Sequence, residues 1–173
     1  MRVFLLPATA LLGLAVLPGC TSESAPPAQP SFYLSMADAG ATVDGAAAAS
    51  MISGYRGNNG LGAVEVDADL MRMAMDHART MAAKDKVDRA AGREFTGRLA
   101  AAGFNGKVAV ENVSAGYHTL AEAFSGWRDS PQHRANMLKD GVNRLGVAAV
   151  YAPQSKYKVF WALIMAAKDE GRG

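Results

Sequence analysis

The chain has 173 residues, with 18 Lys and Arg against 16 Asp and Glu, and a single Cys. This length suits one domain, and the single Cys excludes both an internal disulfide framework and a zinc site built from several cysteines. The near-neutral charge argues against nucleic-acid binding, because such binding needs dense Lys and Arg to displace counterions from phosphates.

The first segment has the pattern of a secretory signal. Arg2 precedes an apolar run at residues 3–17, which is shorter than the roughly 20 residues that a membrane-spanning helix needs. The run ends in LPGC at residues 17–20, which resembles a bacterial lipobox and implies cleavage before a lipid-modified Cys20. Because Thr21 is not the Asp that retains such lipoproteins at the inner membrane, the resemblance implies the outer membrane, facing the periplasm. The alternative is an ordinary signal peptide followed by an idle thiol.

A tether is expected after the signal. Residues 21–30 hold three prolines among small polar residues, a composition that cannot form a core and favours extended chain. Residues 31–42 could either fold onto the domain or stay loose. The sequence therefore predicts a signal peptide at 1–19, a lipidated Cys and Pro-rich tether at 20–42, and a folded domain at 43–168.

Five helices follow from caps and apolar spacing. The clearest is capped by Asp67 and runs to about Lys84, with an apolar stripe repeating every three or four residues. The other predicted helices run from Asp44 to about Tyr55, through Phe95 and Leu99 to a stop at Gly103, from the Thr119–Glu122 capping box through Trp127, and from Ser130-Pro131 to about Leu138.

Strands are expected in the second half of the chain. Residues 108–110 alternate as a short strand leading into Glu111 and Asn112. Residues 145–151 and 157–165 alternate on either side of a turn and predict an antiparallel hairpin at the C-terminal end. Helices first and a hairpin last predict an α+β domain in which helices cover the apolar faces of the sheet.

Three stretches of the chain together resemble the bacterial branch of the CAP superfamily, also called SCP-like domains. They are Glu111-Asn112-Val113, residues 127–138 (WRDSPQHRANML) and residues 145–148 (LGVA). The resemblance covers about residues 45–167. It implies a three-layer α-β-α sandwich with a surface cleft, in which two His and one or two Glu gather and the His pair can hold a divalent cation.

The resemblance assigns cleft residues one by one. Glu111 matches the Glu of the family's Glu-Asn motif, and His133 matches its second cleft His. The first cleft His has no counterpart, and Asp88 is the best match for its position. Asn112, Ser130 and Arg134 complete the candidate cleft set, and the second Glu of animal and plant members is also missing.

The reduced set makes a poor metal site. One imidazole with one or two carboxylates falls short of the three or four ligands usual for zinc, and Mg or Ca would need six or more oxygens. We expect no cofactor, with Asp88 and His133 as the only weak candidates for a divalent cation. Without a metal, Glu111 could be a structural clasp that hydrogen-bonds His133, and His77 on the buried helix stripe is favoured as a satisfied core residue.

The sequence favours binding over catalysis. The preferred interpretation is a monomeric, envelope-tethered module that binds an unknown envelope ligand or protein through a cleft around Glu111 and His133. The alternative is a hydrolase, with or without a divalent cation, in which Glu111 and His133 act as a general-base pair. Its weakness is the nucleophile: Ser114, Ser125 and Ser130 are available, but Ser130 is better explained as a helix cap and the domain has no Cys.

Overall fold

A computed structural model describes residues 28–88, 92–104 and 108–168 of the chain. The predicted signal, Cys20 and the first part of the tether lie outside these residues, so those interpretations and the domain boundaries remain predictions. No helix within the described ranges is both long and apolar enough to span a membrane.

The described residues form five α-helices and four strands, preceded by a short 3-10 helix at Ser31–Tyr33. The helices are α1 (Gly45–Gly57), α2 (Ala68–Ala83), α3 (Gly92–Ala101), α4 (Leu120–Asp129) and α5 (Pro131–Met137). The strands are β1 (Glu65–Val66), β2 (Ala109–Ala115), β3 (Arg144–Tyr151) and β4 (Val159–Ala166). The sheet order is β1-β3-β4-β2, with β1 parallel to β3 and the other pairs antiparallel.

The sheet separates two apolar layers, which confirms the expected α+β, three-layer α-β-α arrangement with its C-terminal hairpin. β4 is buried along its whole length, and alternate residues of a strand face opposite sides of a sheet. Trp161 and Leu163 of β4 pack with Trp127 of α4 on one face, where α1 and α5 also lie. Phe160 and Ile164 of β4 pack on the other face, against α2 and α3.

The helix caps form largely as the sequence predicts. The side chains of Asp44, Asp67 and Thr119 accept hydrogen bonds from the first-turn amides of α1, α2 and α4. Ser130 occupies the N-cap position of α5, but its side chain makes no cap bond. Gly103 closes α3 with φ at +82°, the left-handed conformation that glycine adopts without strain.

Two strands differ from the sequence expectation. β2 continues to Ala115, so Glu111 and Asn112 lie within the strand rather than after it. The two-residue strand β1 was not predicted, because two residues carry no alternation that could reveal it. Residues 31–42, which the sequence left undecided between packing on the domain and staying loose, contact the domain. Met36 in this segment is 5% exposed and belongs to the core cluster around Trp161.

A buried arginine fastens α1 to the far side of this layer. Arg56 is 1% exposed, and its guanidinium donates to the carbonyls of Gly62, Met137, Lys139 and Val142 at 2.8 to 3.3 Å. Burial lowers the pKa of Arg56, although the negative charge of Asp140 opposes that effect. The bonds hold the end of α5 and the following loop in register with the start of β3.

Candidate binding cleft at the sheet edge

Glu111 joins three elements beneath one face of the sheet. Its carboxylate oxygen Oε1 lies 2.6 Å from Nδ1 of His77 on α2 and accepts a bond of 2.7 Å from Nη2 of Arg98 on α3. The side chains of Glu111 and His77 are each 8% exposed. Because an ionised carboxylate only accepts hydrogen bonds, His77 donates from Nδ1. Glu111 therefore acts as a clasp between β2 and the α2–α3 layer.

The residue next to Glu111 faces the opposite layer. Asn112 is 1% exposed, and its Nδ2 donates to the backbone carbonyl of His133 at 2.9 Å. Nδ2 of Asn136 donates to the Asn112 side-chain oxygen and to the Glu111 backbone carbonyl, both at 2.9 Å. These three bonds fix α5 against β2, which positions His133 on the first turn of that helix.

A cleft opens where the edge strand β2 meets α3 and α5. It has a volume of about 260 Å³, and Glu111 and His133 are among the residues that line it. Its lining residues are Phe95, Ala109, Val110, Glu111, Gln132, His133 and Asn136. The sheet edge thus supplies the floor, and the two helices supply the walls.

Comparison with known proteins identifies the family. A family model described as CAP, the cysteine-rich secretory protein family, matches residues 49–165. The chain belongs to the CAP family. Residues 49–165 of this CAP domain contain no Cys, so the family's descriptive name does not apply to its composition. No sequence among curated proteins matches the chain significantly.

Solved structures share the fold of this CAP domain at low sequence identity. An SCP-domain extracellular protein from Bacillus anthracis has a TM-score of 0.60 at 21% identity, covering 71% of this chain and 40% of its own. A cysteine-rich secretory protein from Staphylococcus aureus has a TM-score of 0.56 at 16% identity, covering 72% and 38%. An outer surface protein from Borrelia burgdorferi has a TM-score of 0.62 at 15% identity, covering 74% and 98%. The chain therefore spans about two fifths of the length of the first two proteins.

The CAP domain brings together only part of the predicted cleft set. Glu111 and His133 line the same cleft, whereas Asp88 lines a separate cavity of about 90 Å³ beside His77. Asp88 is half-exposed and pairs with Lys84 at 3.7 Å. The reason is the position of the elements: Asp88 follows α2 on one side of the sheet, whereas His133 lies on α5, which packs on the other side.

The remaining predicted residues support the cleft from its rim. Asn112 is buried beneath α5 and Arg134 is exposed, and neither lies among the residues that line the cleft. Ser130 caps α5 through its carbonyl, which accepts from the amide of Arg134 at 2.8 Å. The hydrogen bond expected between Glu111 and His133 is replaced, for Oε1, by the bonds from His77 and Arg98.

The residues present do not fit the divalent cation that the family resemblance implies. Within the three described ranges, no group of three or more His, Cys, Asp or Glu side chains is placed to hold a metal ion. Arg98 occupies the Glu111 oxygen that would otherwise be a ligand, and a guanidinium at 2.7 Å repels a metal cation there.

Sequence reasoning missed four participants in this site. Arg98, Phe95 and Gln132 were given no role beside Glu111, and His77 was expected in the core without a named partner. One signal was available: if residues 109–115 form a strand, consecutive residues Glu111 and Asn112 must face opposite layers. The i, i+3 spacing of Phe95 and Arg98 likewise places both on one face of α3.

Proposed function

We propose that this CAP domain is a non-catalytic binding module of the cell envelope that uses the cleft at the β2 edge. The observation that supports the proposal is that Glu111 takes part both in the interior of the domain and in the cleft. Its carboxylate is engaged by His77 and Arg98 inside the domain, while Glu111 also lines the cleft beside His133. The bonds around Glu111 hold the cleft in one arrangement. Such a preformed cleft suits ligand recognition, because the protein loses little conformational entropy when the ligand binds.

The predicted N-terminal anchor would attach this module to a membrane. The lipobox-like residues 17–20 favour a lipid-modified Cys20, and the prolines after it favour an extended tether to the domain. The structural neighbours described as an extracellular protein and as an outer surface protein support an envelope location. We place the domain in the periplasm, at the outer membrane.

The hydrolase alternative is weaker on the same geometry. A general-base pair requires the Glu111 carboxylate to orient His133, yet Oε1 of Glu111 is shared by His77 and Arg98. Among the candidate nucleophiles, Ser114 accepts a bond from Nε1 of Trp127 at 3.1 Å on the opposite face of the sheet. An esterase and peptidase screen should therefore give equal rates for the wild type and a Glu111→Gln, His133→Ala double variant.

Cleft blocking tests the proposal directly. Native mass spectrometry would compare the purified protein with a His133→Trp variant, whose indole fills the cleft, and with the matched control His118→Trp at an exposed position. Each protein would be mixed in turn with extracted envelope lipids, enzymatically released wall fragments and tryptic envelope peptides. We expect one fraction to give a retained mass on the wild type and His118→Trp but not on His133→Trp. Equal retention by all three proteins, or retention by none, would contradict the proposal.

A further inference from the structure

The strand that forms the cleft floor is an edge strand. In the order β1-β3-β4-β2, only β4 pairs with β2, so no strand of the described residues lies on the outer side of β2. Ala109, Val110 and Glu111 at its beginning are partly exposed, whereas Asn112 and Val113 farther along are buried. Ser114 and Ala115 at the far end are partly exposed as well, so the cleft contains one of the two accessible parts of this edge.

The hydrogen-bond pattern shows which backbone groups of β2 point outward. The amide of Gly116 donates to Val159, and the carbonyl of Val108 accepts from Ala167, so even-numbered residues pair toward β4. In an antiparallel ladder the alternate residues direct their N–H and C=O groups away from that partner. These are Ala109 and Glu111 in the cleft, and the bond from Asn136 to the Glu111 carbonyl confirms the direction.

We propose that the cleft binds an extended peptide, which adds as a further strand along Ala109–Glu111. This inference rests on the proposed binding function and names the class of its ligand. The peptide backbone pairs with the N–H and C=O of Ala109 and with the N–H of Glu111, as in other cases of strand addition to a sheet edge. Among the described side chains, only Asn136 bonds to these outward groups, and it takes the Glu111 carbonyl alone.

The spacing and polarity of the cleft favour a peptide over other ligands. Outward groups on alternate residues repeat about every 7 Å along a strand, which is the repeat of another extended polypeptide. Among the described residues, the lining includes no Lys or Arg, and the Glu111 carboxylate is already paired with Arg98, so the charges described there do not favour a phosphate or another anion.

The shape of the cleft sets the side-chain preference of the peptide. Its volume of about 260 Å³ is below the roughly 300 to 1,000 Å³ of sites that enclose a drug-sized ligand, so it admits part of a longer molecule. Alternate peptide side chains would meet Phe95 on the α3 side and Gln132 with His133 on the α5 side. The preferred sequence alternates an apolar residue with a polar one.

Proline substitution separates backbone pairing from other modes of binding. Ala109→Pro removes one outward N–H of β2 without removing a bond to β4, and edge strands tolerate proline at such positions. Ala115→Pro makes the same change at the other end of β2, outside the cleft lining, and is the matched control. Thermal unfolding of both variants would establish that they are folded.

The probe is a phage-displayed library of random dodecapeptides, selected on the immobilised full chain, with the selected peptides resynthesised for titration. We expect alternating apolar–polar peptides that bind about tenfold more weakly to Ala109→Pro and unchanged to Ala115→Pro. N-methylation of the backbone of alternate residues in the selected peptides should weaken their binding to the wild type by a similar factor. Failure to select peptides, or peptides insensitive to Ala109→Pro, would overturn the inference.

A parallel titration distinguishes a wrong peptide assignment from a wrong proposed function. Chitotetraose, a neutral oligosaccharide, would be added to the wild type and to His133→Trp. If the saccharide binds in a His133-dependent way and peptides do not, the cleft is a binding site but the peptide assignment is wrong. If neither probe binds at the cleft, both the peptide assignment and the proposed function are contradicted.

Discussion

At the scale of single residues, one carboxylate determines how the site is built. Glu111 receives two charge-assisted bonds, from His77 and Arg98, in a place where its side chain is 8% exposed. A buried carboxylate that loses its partners, or partners that lose their carboxylate, is costly because the remaining charge stays desolvated. Glu111 is therefore a positioning residue that fixes the strand, and His133 is among the residues that line the cleft.

Removal of the Glu111 carboxylate should destabilise the whole domain. Glu111→Ala leaves the buried donors of His77 and Arg98 without an acceptor, and we expect a loss of about 2 to 4 kcal/mol in the free energy of unfolding. Urea denaturation of the variant measures this loss. The control is Glu65→Ala, whose carboxylate is 74% exposed beside Arg144 and should cost at most about 1 kcal/mol. Similar midpoints for the two variants would show that Glu111 is not a clasp.

At the scale of elements, the close approach of α2 to the sheet sets the geometry of the His77 side. A Cβ placed on Gly146 of β3 would collide with the backbone of Leu70 and Met71 in α2. The helix therefore lies on the strand with only hydrogen at that point, which brings His77 within reach of Glu111. The glycine of LGVA at residues 145–148 therefore lies where a side chain does not fit.

Two glycine substitutions should act in opposite directions. Gly146→Ala forces α2 away from β3, and we expect a loss of at least about 3 kcal/mol with rearrangement around His77. Gly54→Ala lies in α1 with nothing within 4 Å of the new methyl group, and should stabilise by about 0.5 to 1 kcal/mol. Calorimetric melting temperatures check both changes. A neutral Gly146→Ala would mean that α2 can move without cost.

The sequence predicted the elements better than the site. Caps such as Asp67 and Thr119 and the stripe on α2 act locally, so the helices could be located from neighbouring residues alone. The Glu111–His77 bond joins residues 34 positions apart, and its geometry depends on strand pairing that local patterns do not encode. Asp88 was assigned to the cleft by position along the chain, and the fold places it on the other cavity.

At the scale of the whole molecule, the end of the described chain is fastened to its middle. Nζ of Lys168 lies 2.7 Å from Oδ2 of Asp67, the residue that caps α2 and follows β1. Burial disfavours the charged carboxylate of Asp67, but the bonds from Lys168, Leu70 and Asp69 outweigh burial and lower its pKa. The ion pair closes the domain around β1 and the C-terminal residues.

This closure gives the domain a defined acid sensitivity. Because the pKa of Asp67 is lowered in the folded state, its stabilisation is complete above the unfolded value of about 3.8 and is lost as pH falls below it. Asp67→Asn keeps the helix cap but removes the charge, and should cost about 0.5 to 1 kcal/mol at pH 7. Urea denaturation from pH 7 to pH 2.5 would give the difference in the free energy of unfolding between the wild type and Asp67→Asn. This difference should become smaller below pH 4. A difference that stays constant with pH would show that the charge of Asp67 does not stabilise the fold.

The anchor is the other whole-molecule prediction. If Cys20 is lipidated, intact-mass measurement of the membrane-extracted protein should show the loss of residues 1–19 and the gain of acyl mass on the new N-terminus. Cys20→Ser should release the protein from the membrane fraction. A cleaved wild-type protein without acyl mass would favour the ordinary signal peptide.

We assign the binding surface of this CAP domain to the β2 edge between Phe95 and His133. Hydrogen–deuterium exchange of the protein with and without solubilised envelope is the most direct test of this assignment, because bound backbone amides exchange more slowly. We expect new protection confined to peptides that contain residues 109–111 and 132–136. Protection that appears only on other surfaces, or none at all, would contradict it.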